Sequence, residues 1–66
     1  MDRIIHVVWG AILLTDGAEF TAIDMVKATR LPGVQVLMGL KALKDMGEIV
    51  TVGDPAESLT FRDALR

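Results

Sequence analysis

The feature that most constrains the fold is a nearly uninterrupted apolar run near the start of the chain. Residues 4–14 read IIHVVWGAILL, and only His6 and Gly10 lie outside the apolar set. A membrane-spanning helix requires roughly 20 apolar residues, so this run is too short to be predicted as one. In a chain of 66 residues, a segment that is apolar on nearly every side has to be buried on most of its sides.

The secondary structure of this run is ambiguous from the local pattern. Its β-branched residues favour a strand, whereas its length, a capping residue at Asp2 and a stop signal at Gly17 favour a helix. We interpret the run as a helix. Its apolar side chains then form three adjoining stripes, namely Ile4, Val8 and Ile12; Ile5, Trp9 and Leu13; and Val7, Ala11 and Leu14.

Length and composition predict a single small domain over residues 1–66. The chain is 52% hydrophobic and 24% charged, which is too apolar for a disordered protein. A domain of this size buries only about 60% of its unfolded surface, so it needs a dense core or a partner. With no cysteine and one histidine, neither a disulfide nor a thiolate or imidazole-rich metal site is predicted. No targeting segment is recognised, and we expect a cytoplasmic protein.

A short helix with a capping box is predicted after the first turn of the chain. Thr21 is followed three positions later by Asp24, so each side chain can accept a hydrogen bond from the other residue's backbone. The apolar positions of this helix are Ile23, Val26 and, less regularly, Met25. The helix is predicted to run to about Thr29, because the residue before Pro32 is disfavoured in helical conformation.

The remaining chain predicts a third helix and a β-hairpin. Residues 33–46 have helical spacing, with Pro32 suited to the first turn and Gly47 suited to the end. The aliphatic residues that share one face of this helix are Val36, Leu40 and Leu43. Two strands are predicted at residues 48–52 and 58–62, joined by a turn at residues 53–57. The predicted architecture is therefore mainly α with a small β-hairpin.

This order of elements, from Phe20 to Phe61, resembles the winged helix-turn-helix superfamily, and it is most similar to small PadR- or MarR-like regulators of bacteria and phages. The residues that carry the resemblance are Ala28, Leu31, Val36, Leu40, Leu43, Gly47, Ile49 and Val50. The resemblance implies three helices followed by a two-stranded wing. It also implies a DNA-binding transcriptional regulator that needs no cofactor.

The same resemblance implies that the third helix enters the major groove of DNA while the wing meets phosphate. If the aliphatic face is buried, the opposite side of this helix carries Val34, Met38, Lys41 and Asp45. We expect Gln35, Met38 and Lys41 to approach base edges. We expect Lys27, Arg30 and Lys44 to contact phosphates.

The charges are distributed unevenly along the chain. Residues 25–46 carry a net charge of +3, whereas residues 1–24 carry −3 and residues 47–66 carry −2. The positive segment coincides with the two helices that would meet DNA. The turn of the predicted wing contains Asp54 and Glu57 and no cation, so it would be repelled by phosphate.

The first helix has more apolar faces than a small domain can cover. We therefore expect it to form the contact of a homodimer through Ile5, Trp9 and Leu13, since tryptophan is enriched at interface hot spots. Packing of Trp9 in the core is the alternative.

No catalytic constellation is predicted. His6 lies alone in the apolar run, Ser58 is the only serine, and neither belongs to a motif that activates a nucleophile. We expect a structural role for both residues and a protein that is not an enzyme.

A rival prediction belongs to a different functional class. Val34, Leu37 and Met38 lie on the helix that would read DNA, yet they are apolar, and methionine-rich surfaces suit protein binding. The rival is a winged-helix module that binds a protein, as an accessory subunit or a phage-encoded inhibitor. The alternative for these three side chains is partial burial under the first helix.

Overall fold

The computed structural model describes residues 2–53 and 60–64, in which three helices accompany a small three-stranded antiparallel sheet. The elements in chain order are α1 (Asp2–Leu13), β1 (Phe20–Thr21), α2 (Ala22–Thr29), α3 (Gly33–Asp45), β2 (Ile49–Val52) and β3 (Thr60–Asp63). The prediction of a mainly helical chain with a small β-element is confirmed. The apolar run is a helix, as interpreted, although it begins two residues earlier, at Asp2.

The sheet has one strand more than the predicted hairpin. Its strand order is β1-β3-β2, so β3 lies in the centre and pairs with both neighbours. Phe20 of β1 pairs with Phe61 of β3, and their rings stack with centroids 6.0 Å apart. A strand of two residues is too short to produce an alternating pattern, which is why the sequence did not reveal it.

The boundaries of the last strand also differ from the prediction. β3 spans Thr60–Asp63, whereas the prediction placed it at 58–62; residues 58 and 59, including Ser58, lie outside the described residues. The predicted turn residues Asp54 and Glu57 lie outside them too. Asp63, counted above only as a charge, is buried and pairs with Ile49.

The core lies where α1, α2 and α3 meet the inner face of the sheet. Its buried residues are Val8, Ile12, Phe20, Met25, Val36, Leu40, Leu43, Ile49 and Phe61. The predicted burial of the aliphatic face of α3 is therefore confirmed. Of the three stripes on α1, the one that contains Val8 and Ile12 is buried most deeply.

Helix α2 buries a different side chain from the one expected. Met25 is buried and Val26 is half-buried, whereas Ile23 is 66% exposed. A helix of two turns has room for only one contact face, and Ala22, Met25 and Val26 form it through i, i+3 and i+4 spacing. The expectation that Ile23 belongs to the apolar face is wrong.

The end of α3 is fixed by a glycine motif. Gly47 adopts a φ of 78°, and its N–H donates to Lys44 O at 3.0 Å. The N–H of Glu48 donates to Leu43 O at the same distance. This pair of hydrogen bonds is a Schellman motif, so the predicted glycine stop is confirmed, with Met46 as the last capping residue.

Candidate nucleic-acid interface

The connection between α2 and α3 is a three-residue turn with a defined backbone. Thr21 is the residue that caps the start of α2. Its side chain accepts from Asp24 N at 3.2 Å, while Asp24 Oδ2 accepts from Thr21 N at 2.9 Å. The predicted capping box is thus confirmed. At the other end, Arg30 adopts the left-handed conformation, with φ 60°, and its N–H donates to Val26 O at 2.8 Å. A short turn of this kind between two helices is typical of a helix-turn-helix.

The side chain of Thr29 joins the end of α2 to this turn. Its hydroxyl donates to Met25 O at 2.7 Å and accepts from the backbone N–H of Leu31 at 3.2 Å. Leu31 itself is half-buried against the core. The turn is therefore held by a side-chain bridge and by an apolar anchor, and both fix where α3 begins.

Helix α3 separates an apolar inner face from an exposed outer face. Val36, Leu40 and Leu43 face the core together with Gly39, which is also buried. On the outer side, the four exposed residues are Val34, Met38, Lys41 and Asp45. The outer face predicted from the helical period is therefore the one observed.

The four cations expected to contact DNA are all exposed on the α2–turn–α3 unit. They are Lys27 on α2, Arg30 in the turn, and Lys41 and Lys44 on α3. Met38, expected at a base edge, is 44% exposed. A helical period of 3.6 residues places Lys41 and Lys44 on adjacent parts of the outer side.

Gln35 lies at the flank of α3. It is half-buried and lines a groove of about 440 Å³ between the start of α1, the end of α2 and the start of α3. The other residues along this groove are Arg3, Ile4, Val7, Thr29 and Leu31. Of the three side chains expected at base edges, Gln35 is therefore the one least exposed.

Three apolar side chains of α3 are exposed rather than covered by α1. Val34 is 70% exposed, Leu37 is 48% exposed, and Met38 is similar to Leu37. The alternative of partial burial under the first helix does not hold for Val34, because α1 packs on the opposite, glycine-containing face of α3.

The expected dimer stripe on α1 is divided between core and surface. Ile5 and Trp9 are half-buried and pack against the core, whereas Leu13 is 41% exposed. The packing of Trp9 agrees with the alternative of a core position, and its place in a dimer contact stays a prediction. Ile5 and Trp9 also line a groove of about 250 Å³ at the end of α3, whose other lining residues are His6, Leu43, Met46 and Glu48.

Sequence reasoning missed this groove and the close contact at Gly39. A Cβ built on Gly39 would lie 3.1 Å from Val8 Cγ2, so α1 and α3 approach each other closely there. Neither feature has a local signal, since both depend on how two distant helices cross. The one hint in the sequence is that Gly39 shares a face with Val36 and Leu43.

Metal-binding and membrane-spanning features are absent from the described part of the chain. Within residues 2–53 and 60–64, no group of three or more His, Asp or Glu side chains is close enough to hold a metal ion. His6 is exposed. In the same part of the chain, no helix has the length and hydropathy needed to cross a bilayer.

Comparison of the chain with models of protein families, with curated proteins and with solved structures finds no match. A function for this chain therefore has to be inferred from its own residues.

Proposed function

We propose that this protein is a small winged helix-turn-helix DNA-binding regulator that acts as a dimer, with α3 as the helix that enters the major groove. The observation that carries the proposal is the division of α3 into a buried aliphatic face and an exposed outer face that bears Lys41. A recognition helix needs this arrangement, because one side must hold the helix on the domain while the other side reaches the groove.

Electrostatics support the proposal. Residues 25–46 carry a net charge of +3 in a chain whose total is −2. Non-specific affinity for DNA grows with the number of phosphates that cations neutralise. Four exposed cations on one copy give weak binding, and a dimer doubles that number.

The roles of individual residues follow from their positions. Lys27, Arg30 and Lys44 contact phosphates, while Met38 and Lys41 reach base edges and Gln35 reaches them from the flank. α3 begins after Pro32, whose side chain cannot accept a hydrogen bond. The first N–H groups of α3 therefore favour an anion such as phosphate.

The wing contributes less to this proposal than the helices. β2 and β3 form its two strands, and Arg62 is an exposed cation on β3. The acidic residues Asp54 and Glu57 fall between the two strands in the sequence and lie outside the described residues. Contact with DNA is proposed through α2, the turn and α3.

The proposal is tested by electrophoretic mobility of a random DNA duplex at about 50 mM salt, where phosphate contacts are strong. Micromolar protein is expected to shift the duplex. The double substitution Lys41→Ala with Lys44→Ala is expected to abolish the shift, and the shift of the unaltered protein is expected to fall steeply as salt is added.

A matched control changes the net charge equally at other places. Arg62→Gln with Arg66→Gln removes two cations that lie outside residues 25–46, so the shift should survive. No shift at low salt, or equal loss in both double variants, would contradict the proposed role of α3.

A second candidate function is binding of a protein partner through α3. The observation that favours it is the exposure of Val34, Leu37 and Met38 on the same helix, since apolar side chains fit protein surfaces better than phosphates. For this candidate, no duplex is shifted at any salt, and a protein partner is captured that Met38→Glu releases. Asp45→Asn, on the same outer face, serves as its control and should leave the capture intact.

A further inference from the structure

The stripe of α1 that contains Trp9 lies on the flank of the helix, between its buried and exposed sides. It carries a self-complementary pair of features on either side of Trp9. Ile5 and Leu13 each lie four residues from Trp9, so all three share one stripe of the helix, about 6 Å apart along its axis. At the Ile5 end there is a groove, and at the other end Leu13 projects with 41% of its surface exposed.

The groove at the Ile5 end is built by three parts of the fold. α1 lines it with Ile5, His6 and Trp9, the end of α3 with Leu43 and the capping residue Met46, and the segment before β2 with Glu48. Its volume of about 250 Å³ is large enough for a leucine side chain. The Schellman motif at Gly47 fixes Met46 and Glu48 relative to α3, so the groove is a stable part of the surface.

We infer that a second copy of this chain occupies the groove, with Leu13 of each copy inserted beside Ile5, Trp9 and Met46 of the other. A two-fold axis through Trp9 and perpendicular to α1 makes the two helices antiparallel. It places Leu13 opposite Ile5 of the partner subunit, and the same contact then repeats with the copies exchanged.

The charge pattern favours a second copy over a charged partner. Residues 4–15 contain no Asp, Glu, Lys or Arg, so the two α1 helices meet without like-charge repulsion. The charged residue that lines the groove is the anion Glu48, and a nucleic acid finds no Lys or Arg in that lining. A small domain buries a smaller fraction of its surface than a large one, so additional apolar burial in a dimer adds proportionally more to its stability.

The inferred contact is compatible with DNA binding by α3. Leu43 and Met46 lie on the inner face and the flank of α3, whereas Lys41 lies on the outer face. The inference rests on the dimeric state that the proposed function includes, but it does not require that DNA is bound. Beyond the proposed dimeric state, the inference specifies the groove that forms the contact and the antiparallel orientation of the two α1 helices.

The test compares two neighbouring leucines. Leu13→Glu places a carboxylate in the apolar groove twice per dimer, so we expect the dimer dissociation constant to rise at least about 100-fold. Leu14→Glu adds the same charge one residue further on, at a side chain that is 87% exposed and off the stripe. This control is expected to remain dimeric. Analytical ultracentrifugation of the full chain without DNA measures both constants.

Tryptophan fluorescence provides a second readout. Trp9 is the only tryptophan, and its burial in the dimer is expected to move its emission to shorter wavelength as protein concentration rises. The Leu13→Glu variant should lose this shift while its circular dichroism spectrum stays helical. A monomeric parent protein at millimolar concentration, a dimeric Leu13→Glu variant, or equal dissociation of both variants would overturn the inference.

The two proposals can fail separately. A dimer that is broken by Leu13→Glu but shifts no duplex retains this inference and contradicts DNA binding. A monomer that shifts DNA through Lys41 and Lys44 contradicts the inferred contact between two copies and retains the proposal that α3 binds DNA.

Discussion

Gly39 of α3 lies so close to Val8 of α1 that even a methyl group at this position would require the valine side chain to shift by a few tenths of an ångström. A Cβ on Gly39 would be 3.1 Å from Val8 Cγ2 and 3.4 Å from Ile4 Cγ2. Val8 is fully buried, so it has little freedom to move away. The glycine therefore sets the distance between the helix that carries the proposed dimer contact and the helix that carries the proposed DNA contact.

We predict that Gly39→Leu destabilises the protein because it overfills the contact between α1 and α3. The free energy of unfolding should fall by about 1–3 kcal/mol, measured by urea denaturation followed by circular dichroism. Gly10→Leu is the matched control, since nothing lies within 4 Å of a Cβ at Gly10. It should leave stability unchanged or raise it slightly, because leucine has the higher helix propensity. Equal losses at both positions would contradict the close packing.

We predict that Thr29→Val loosens the turn between α2 and α3. Valine keeps the shape of threonine but removes the hydroxyl that bridges Met25 O and the Leu31 N–H. The loss of two hydrogen bonds should cost about 1–2 kcal/mol of unfolding free energy. Thr29→Ser keeps the hydroxyl and should recover most of the loss in a thermal melt. A valine variant as stable as the parent would contradict a role for the hydroxyl bridge, and a serine variant that loses as much as valine would show that the methyl group contributes as much as the hydroxyl.

We predict opposite effects of Arg30→Gly on stability and on DNA affinity. Arg30 has a φ of 60°, and a non-glycine residue in this conformation costs about 1–2 kcal/mol. Glycine should therefore raise the free energy of unfolding, while the loss of a phosphate contact should weaken the duplex shift. Arg30→Lys keeps both the cation and the strained backbone, so neither quantity should change much. A glycine variant that binds DNA as well as the parent would contradict the proposed contact between Arg30 and phosphate.

We predict that Asp45→Asn strengthens DNA binding. Asp45 shares the exposed outer face of α3 with Lys41, and its carboxylate repels phosphate there. The dissociation constant for a duplex should fall by about threefold or more at low salt, where screening is weak. Glu19→Gln makes the same change in charge at an exposed residue before β1 and should have a smaller effect. The duplex is titrated with protein at two salt concentrations. The gain in affinity should shrink at the higher salt if it comes from removed charge repulsion, and should persist if it comes from a change in folding.

The helices could be predicted because their signals are local. The spacing of Val36, Leu40 and Leu43 reports one buried face, and Pro32 and Gly47 mark the two ends of α3. The capping box between Thr21 and Asp24 is equally local. Each of these features spans at most sixteen consecutive residues, so no knowledge of the tertiary arrangement was required.

The features that sequence reasoning missed are all non-local. β1 exists only because Phe61 pairs with Phe20, and two residues carry no periodic pattern. The groove at Met46 depends on where the end of α3 passes α1. The burial of Asp63 depends on the register between β2 and β3, in which Asp63 lies opposite Ile49. The pattern of residues within one strand does not determine this register.

The position of β3 in the middle of the sheet has a consequence for synthesis. Phe20 acquires its stacking partner only when Phe61 has been made, so the stretch between them must leave the ribosome before the sheet can close. Bringing such distant segments together costs loop-closure entropy, and the contacts that offset this cost form only when β1 pairs with β3. A nascent chain that lacks its last strand can form helices but leaves the aromatic pair open to water, and translation must pass Asp63 before the protein becomes a finished domain.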